Sequence, residues 1–199
     1  MEILYNDDYI VVCIKPAGIL SQADSNGGES MITELSNLYS CEIFPLHRLD
    51  KGVSGVMVYA KSSKAASRLS EQMKTGDFEK KYYTVLVGSP RESKATLTNY
   101  MKKNPINNMV YICPQTVEGA KFAELEYRVI EEKAGLSFTE VTLHTGRSHQ
   151  IRVQMSHIGT PVYGDMRYGG ENAKKGKLAL WATSLSFSHP VSKERLCFK

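Results

Sequence analysis

No apolar run in this 199-residue chain approaches the roughly 20 residues that a membrane-spanning helix needs, so no membrane partner is expected. Cysteine is sparse and scattered. Cys13, Cys41, Cys113 and Cys197 form no CxxC pair and have no histidine beside them at metal-ligand spacing, which argues for reduced thiols and against a zinc site. The opening residues Met-Glu-Ile-Leu-Tyr-Asn-Asp-Asp lack the basic and apolar regions of a secretory signal, and a cytoplasmic location is expected. There is no internal repeat, low-complexity tract or linker. We therefore expect a single domain over 1–199, long enough to bury a core without disulfides. No leftover apolar stripe calls for a second subunit, so a monomer is expected.

The formal charge of +4 and the pI near 8.8 permit an anionic partner without requiring one. The placement of charge says more. Lys and Arg gather at 61–81, 91–103, 147–152 and 174–177, and three of these clusters carry Tyr, His or Phe beside the cations. Cations that neutralise phosphate, mixed with flat rings that stack on bases, suit an RNA-binding surface, although scattered lysines on a solvated face are the default reading.

Strand patterns dominate. Residues 9–14, 55–60, 82–87, 121–130, 136–144 and 180–187 are rich in β-branched and aromatic residues, with clear alternation in 136–144, and 121–130 with 136–144 reads as a hairpin. Helices are predicted after Ser62 or Ser63, with Ala66, Leu69 and Met73 on the apolar face and Gly76 past the end, over about 148–157, and more weakly over 31–39. Strands without regular β-α alternation predict an α+β fold, a mixed and mostly antiparallel central sheet with flanking helices.

Three polar, glycine-bounded segments stand out at 47–55, 80–88 and 144–152. In the first, His47-Arg-Leu-Asp-Lys-Gly-Val-Ser-Gly55, the carboxylate of Asp50 lies between two cations in a turn. Such a setting favours the ionised form and suits a nucleophile or an ion-pair anchor, whereas a solitary turn aspartate usually makes only local backbone bonds. In the third segment, Arg147 and His149 precede a helix, and Arg147 could face solvent, bind phosphate or pair with Asp50.

These segments resemble the motifs of the RluA-type pseudouridine synthases. His47–Gly55 is similar to HRLDxxTSG, Lys80–Gly88 to KxYxAxVxG, Leu143–Arg152 to LxTGRTHQIR, and Gly159–Gly169 to GxPxxGDxxYG. The opening through Lys15-Pro-Ala-Gly18 is like the family's first strand pair. The resemblance implies an RNA isomerase that needs no cofactor or metal. Asp50 is then the catalytic aspartate, attacking uridine so that the glycosidic bond is broken and remade from nitrogen to carbon. Tyr82 stacks on the target base and assists deprotonation, and Arg147 holds Asp50 in a buried ion pair. Arg48 fills the space left by the flipped nucleotide, since the base must leave its stack to rotate against its ribose. His47, His149, Arg152 and Lys80 are the remaining expected substrate-binding residues, the two histidines as hydrogen-bonding residues that shape the site.

The pattern departs from the family at three places. Val53 stands where Thr is usual, Thr84 where Ala is usual, and Trp181 where His is common. The expected partner is structured RNA, transfer or ribosomal. With the opening strand beginning at residue 3, the family's S4 module is not expected, and 91–118, with Lys102 and Lys103, is the expected RNA contact. A catalytically idle RNA-binding module should have lost Asp50, Tyr82 or Arg147, and all three are present. A hydrolase using Asp50 calls for a nearby general base, and none is evident.

Overall fold

A computed structural model describes residues 1–23, 28–172 and 174–199, and within them the chain forms two compact units. The first comprises 1–80 and 181–199, the second 81–180. Each is described by itself.

In the first unit, β1 (Glu2–Asn6), β2 (Ile10–Lys15), β4 (Ser54–Ala60) and β10 (Leu180–Ser188) lie side by side in that order, with β3 (Phe44–Pro45) on β4 and β11 (Arg195–Phe198) on β10. All these pairings are antiparallel except β4 with β10. Alternate residues of β2, β4 and β10 (Ile10, Val12, Val56, Val58, Leu185, Phe187) meet Leu69 and Phe78 in one apolar cluster. Stripping these side chains of water is the main driving force for the unit.

The helices follow their local signals. Helix α1 (Met31–Tyr39) begins where the Ser30 side chain accepts the Thr33 N–H, and α2 (Ser63–Thr75) where Ser62 does the same for Ala65. Gly76 ends α2 in the left-handed region at φ 86°. The buried residues of α2 are Ala65 and Leu69, so the face is rotated slightly from the expected Ala66–Leu69–Met73 line. Gln72 fastens the helix to β10 through two hydrogen bonds of its side-chain amide, which donates to the Ser188 carbonyl at 2.7 Å and accepts the Ser188 N–H at 2.8 Å.

Gly55, the last residue of the 47–55 segment, sets the approach of β4 to β10. Its φ is +131°, and a Cβ there would fall 2.1 Å from the Ala182 carbonyl oxygen, so no side chain fits.

In the second unit the strand order is β5 (Glu79–Val87), β9 (Leu136–Leu143), β8 (Lys121–Lys133), β6 (Lys94–Lys103), β7 (Val110–Cys113), and α3 (Gln150–His157) packs beside β7. The expected hairpin is present as β8–β9. It turns at Ala134-Gly135, both with positive φ (52° and 73°), as a tight hairpin requires. Met101, Val110 and Ala123 bury one face of the β6–β7–β8 sheet against Val153 of α3.

The mixed, mostly antiparallel α+β architecture is the one expected. Strands β3, β6, β7 and β11 are not among those expected from the sequence. Thr84 keeps its hydroxyl satisfied in the interior by donating to the Ala179 carbonyl at 2.8 Å, which accommodates the departure from Ala. Val53 is buried and apolar, so the missing hydroxyl leaves no polar group to satisfy there. All four cysteines are free thiols. Among the described residues no helix is long and apolar enough to cross a membrane, and no cluster of His, Cys, Asp or Glu is arranged to hold a metal ion.

Candidate active site

Asp50 lies in the loop between β3 and β4, and the loop is tied down on both sides of it. The Ser21 hydroxyl donates to the Leu49 carbonyl at 2.9 Å and accepts the Leu49 N–H at 3.0 Å. On the other side the Lys51 carbonyl accepts the Gly18 N–H at 2.7 Å, and the Asp50 carbonyl accepts the Val53 N–H at 2.9 Å. Leu49 and Val53 are buried, and Asp50 between them is half-buried. The backbone that carries the carboxylate is thus held by residues 28 to 36 positions away.

Lys15 is the feature the sequence reading treated only as part of a turn. It is fully buried at the end of β2, and its ammonium donates to the carbonyls of Pro16 (2.9 Å), Ile19 (2.7 Å) and, more weakly, Lys51 (3.4 Å). Burial pushes the amine down to about 8, against the pull of the Asp50 charge, which favours the protonated form. A buried cation therefore sits within electrostatic reach of the candidate nucleophile.

This arrangement has a thermodynamic sign. The folded value lies below the ordinary 10.5 of an unfolded lysine, so between about pH 8 and 10.5 the unfolded chain binds the extra proton and stability rises with pH. We expect the unfolding free energy of wild type, minus that of Lys15→Met, to increase from pH 8 to 10.5 in urea titrations. A pH-independent difference would show that the amine is hydrated.

His47 is neutral, pushed down to about 3 by burial and by the charge of Lys80. Its Nε2 accepts the Val58 N–H at 3.3 Å and its ring meets Phe78 edge-on at 5.9 Å, so it shapes the start of the loop. Arg48 is exposed. Lys80 is buried at the start of β5, on the strand face that also carries Tyr82, Thr84 and Leu86. Tyr82 is only 6% exposed.

In the second unit the residues before α3 form a pinned turn. The buried Gln150 amide accepts the Arg147 N–H at 3.0 Å and the Thr145 hydroxyl at 2.7 Å, and donates to the Glu124 carbonyl at 3.0 Å. Thr145 also accepts the Glu124 N–H at 2.9 Å. His149 sits in the left-handed region (φ 54°) and caps nothing with its side chain. Its Nδ1 shares a 2.6 Å hydrogen bond with the Tyr168 hydroxyl. Arg147 is exposed, not buried as expected, and its Nε donates to the Phe122 carbonyl at 2.7 Å.

Arg152 is fixed by a two-pronged ion pair with Asp165, Nε–Oδ2 2.6 Å and Nη2–Oδ1 2.8 Å. Asp165 also accepts the N–H groups of Arg167 and Tyr168. Its carboxyl is raised by burial but lowered further by the Arg152 bond and charge and by those two N–H groups, and ends below the usual carboxylate range. Arg152 therefore braces the turn at 165–169 against α3.

The RNA pseudouridylate synthase family matches residues 8–157, which include Lys15, Asp50, Tyr82, Arg147 and Arg152. The chain belongs to that family. It is 30% identical over 218 residues to the tRNA pseudouridine synthase C of Haemophilus influenzae, covering 98% of this chain and 90% of that protein. It is 32% identical over 214 residues to the ribosomal large subunit pseudouridine synthase D of Xanthomonas campestris, covering 98% of this chain but 63% of that protein. A solved structure of human RNA pseudouridylate synthase domain containing 4 superposes with a TM-score of 0.80 at 24% identity, covering 99% of this chain and 87% of that one, a likeness of fold. These matches bear out the RluA-type resemblance. The sequence singles out Asp50, Tyr82 and Arg147 as candidates but not Lys15, Ser21, Thr145, Gln150 and Asp165, the side chains that hold the surrounding loops. Their local signal is polarity at positions that are buried or, for Thr145, half-buried.

Proposed function

We propose that this chain isomerises uridine to pseudouridine in RNA, with Asp50 as the reacting carboxylate. The observation that carries the reading is the loop at 47–53, fixed on either side of Asp50 and backed by the buried Lys15, within the region that the family matches. In the reaction the N1–C1′ bond breaks, a C5–C1′ bond forms, C5 gives up its proton and N1 gains one, so nothing is consumed. The base has to leave its stack for this rotation. We assign Tyr82 to the target base, Arg147 to the charge that develops there, and Arg48 and Lys80 to RNA contact. His47, His149 and Arg152, already bonded within the protein, orient their loops. The enzyme works without cofactor or metal, as a monomer, in the cytoplasm.

Relatives named for transfer RNA and for the large ribosomal subunit make both RNA classes substrates to test. Tritium release from C5-labelled uridine should appear with one of bulk transfer RNA or bulk ribosomal RNA, assayed separately. Binding without release from either would favour the idle RNA-binding module.

A further inference from the structure

The strands that bury Met101, Val110 and Ala123 on one face carry aromatic rings on the other, where no core requires them. Phe122 is 39% and Tyr111 43% exposed, and Tyr100 is half-buried. The register places Tyr100 opposite Phe122 on β8 and opposite Cys113 on β7, and Lys102 opposite Tyr111. Alternation then puts all five on the same outer face. The rings of Tyr100 and Phe122 are 5.7 Å apart, edge to face. Lys102 closes the β6 end of this patch, whereas Lys103, opposite Val110, belongs to the other face, and the guanidinium of Arg147 is tethered to the Phe122 carbonyl at the patch's other side. Among the described residues Lys102 makes no ion pair with a carboxylate. The outward acids of β8 nearest the patch, Glu124 and Glu126, lie further along the strand, and Glu126 is taken up by Lys94 at 2.9 Å.

We propose that this patch is a stacking surface for unpaired RNA nucleotides, with Phe122, Tyr100 and Tyr111 against bases and Lys102 against phosphate. The proposal rests on the reading of the chain as an RNA-modifying enzyme, and it names which part of the RNA this face takes. Flat rings offered at the spacing of adjacent strands, beside the Lys102 ammonium, match the two chemistries a single strand presents, π-faces and phosphates. A paired helix offers the phosphates but hides the base faces, so the aromatic part of the patch selects for the unpaired strand.

The test is equilibrium binding of fluorescein-labelled decauridylate to the full chain. Replacing Tyr100 and Phe122 together by Leu keeps apolar area and strand propensity but removes both flat rings, and should weaken binding by about tenfold or more. Tyr100→Phe should bind as wild type, because stacking uses the ring and not the hydroxyl. Lys102→Ala should reduce the salt dependence of binding by about one phosphate contact. Melting temperatures establish that each variant is folded. Wild-type affinity in the double leucine protein, or failure of wild type to bind the probe, overturns the proposal. So does a sedimentation dimer that the same substitutions dissociate while RNA binding is unchanged, since the occupant is then a second copy. Tritium release separates the two readings. Ring-dependent binding with no release from any RNA sinks the isomerase and keeps the surface, whereas release with ring-independent binding sinks the surface alone.

Discussion

Asp50→Asn should reduce tritium release from C5-labelled RNA to the background of the assay while leaving RNA affinity within about twofold, since the substitution keeps shape and removes only the nucleophilic charge. The amide has a second effect that can be measured independently. The Asp50 charge partly offsets the burial of Lys15, so in the Asn protein the amine should titrate below its wild-type value of about 8. Asp50→Glu separates the two roles. Glutamate keeps the negative charge near Lys15 but displaces the carboxylate by one methylene, and a misplacement of about 1 Å costs a reacting group about 100-fold in rate. We expect the Glu protein to restore the Lys15 titration and to remain at least that far below wild type in release. Activity in the Asn protein would show that another group reacts with the nucleotide, and near-full activity in the Glu protein would show that Asp50 acts only through its field.

Where the determinants of structure are local, the sequence was legible. Ser30, Ser62 and Gly76 mark helix ends by backbone rules that operate within a few residues, and α1 spans the expected 31–39. The buried strands β2 and β4 announce themselves by short, largely apolar runs. Strand β6 does not. Its outward residues are Lys, Thr and Tyr, its half-buried inward face is broken by Asn99, and it is made a strand by pairing with β8, 20 to 34 residues away. Read alone, 91–118 resembles an insertion. The site divides in the same way. Asp50, Tyr82 and Arg147 stand out as candidates through motif order, yet the bond that ties Arg147 to Phe122, 25 residues back, has no sequence signal. Lys15 and Gln150 look like surface residues in one dimension, since a buried polar side chain is legible only once its partners are in place.

Asp165→Ala should be the most damaging single truncation in the second unit, costing about 3–5 kcal/mol in urea unfolding, because it leaves the Arg152 guanidinium buried without its counter-charge. The side chain of Arg152 is 11% exposed and that of Asp165 is 0% exposed, so water replaces little of what is lost. The damage should spread through Tyr168, whose N–H bonds Asp165, whose hydroxyl holds the Val110 N–H at 3.0 Å and the ring of His149, and whose carbonyl accepts from Ser156. Because the charge left behind does much of the harm, adding Arg152→Met to the alanine protein should recover part of the loss, and strict additivity of the two substitutions would defeat the argument. The pH dependence follows from the depressed carboxyl of Asp165. Its contribution is complete above the ordinary aspartate value of about 3.9 and disappears as pH falls through the lower folded value. The gap between wild type and Asp165→Ala should therefore stay constant from pH 7 down to about pH 5 and narrow only in more acid solution. Narrowing already near neutrality would mean that the Arg152 pair does not hold the carboxyl down.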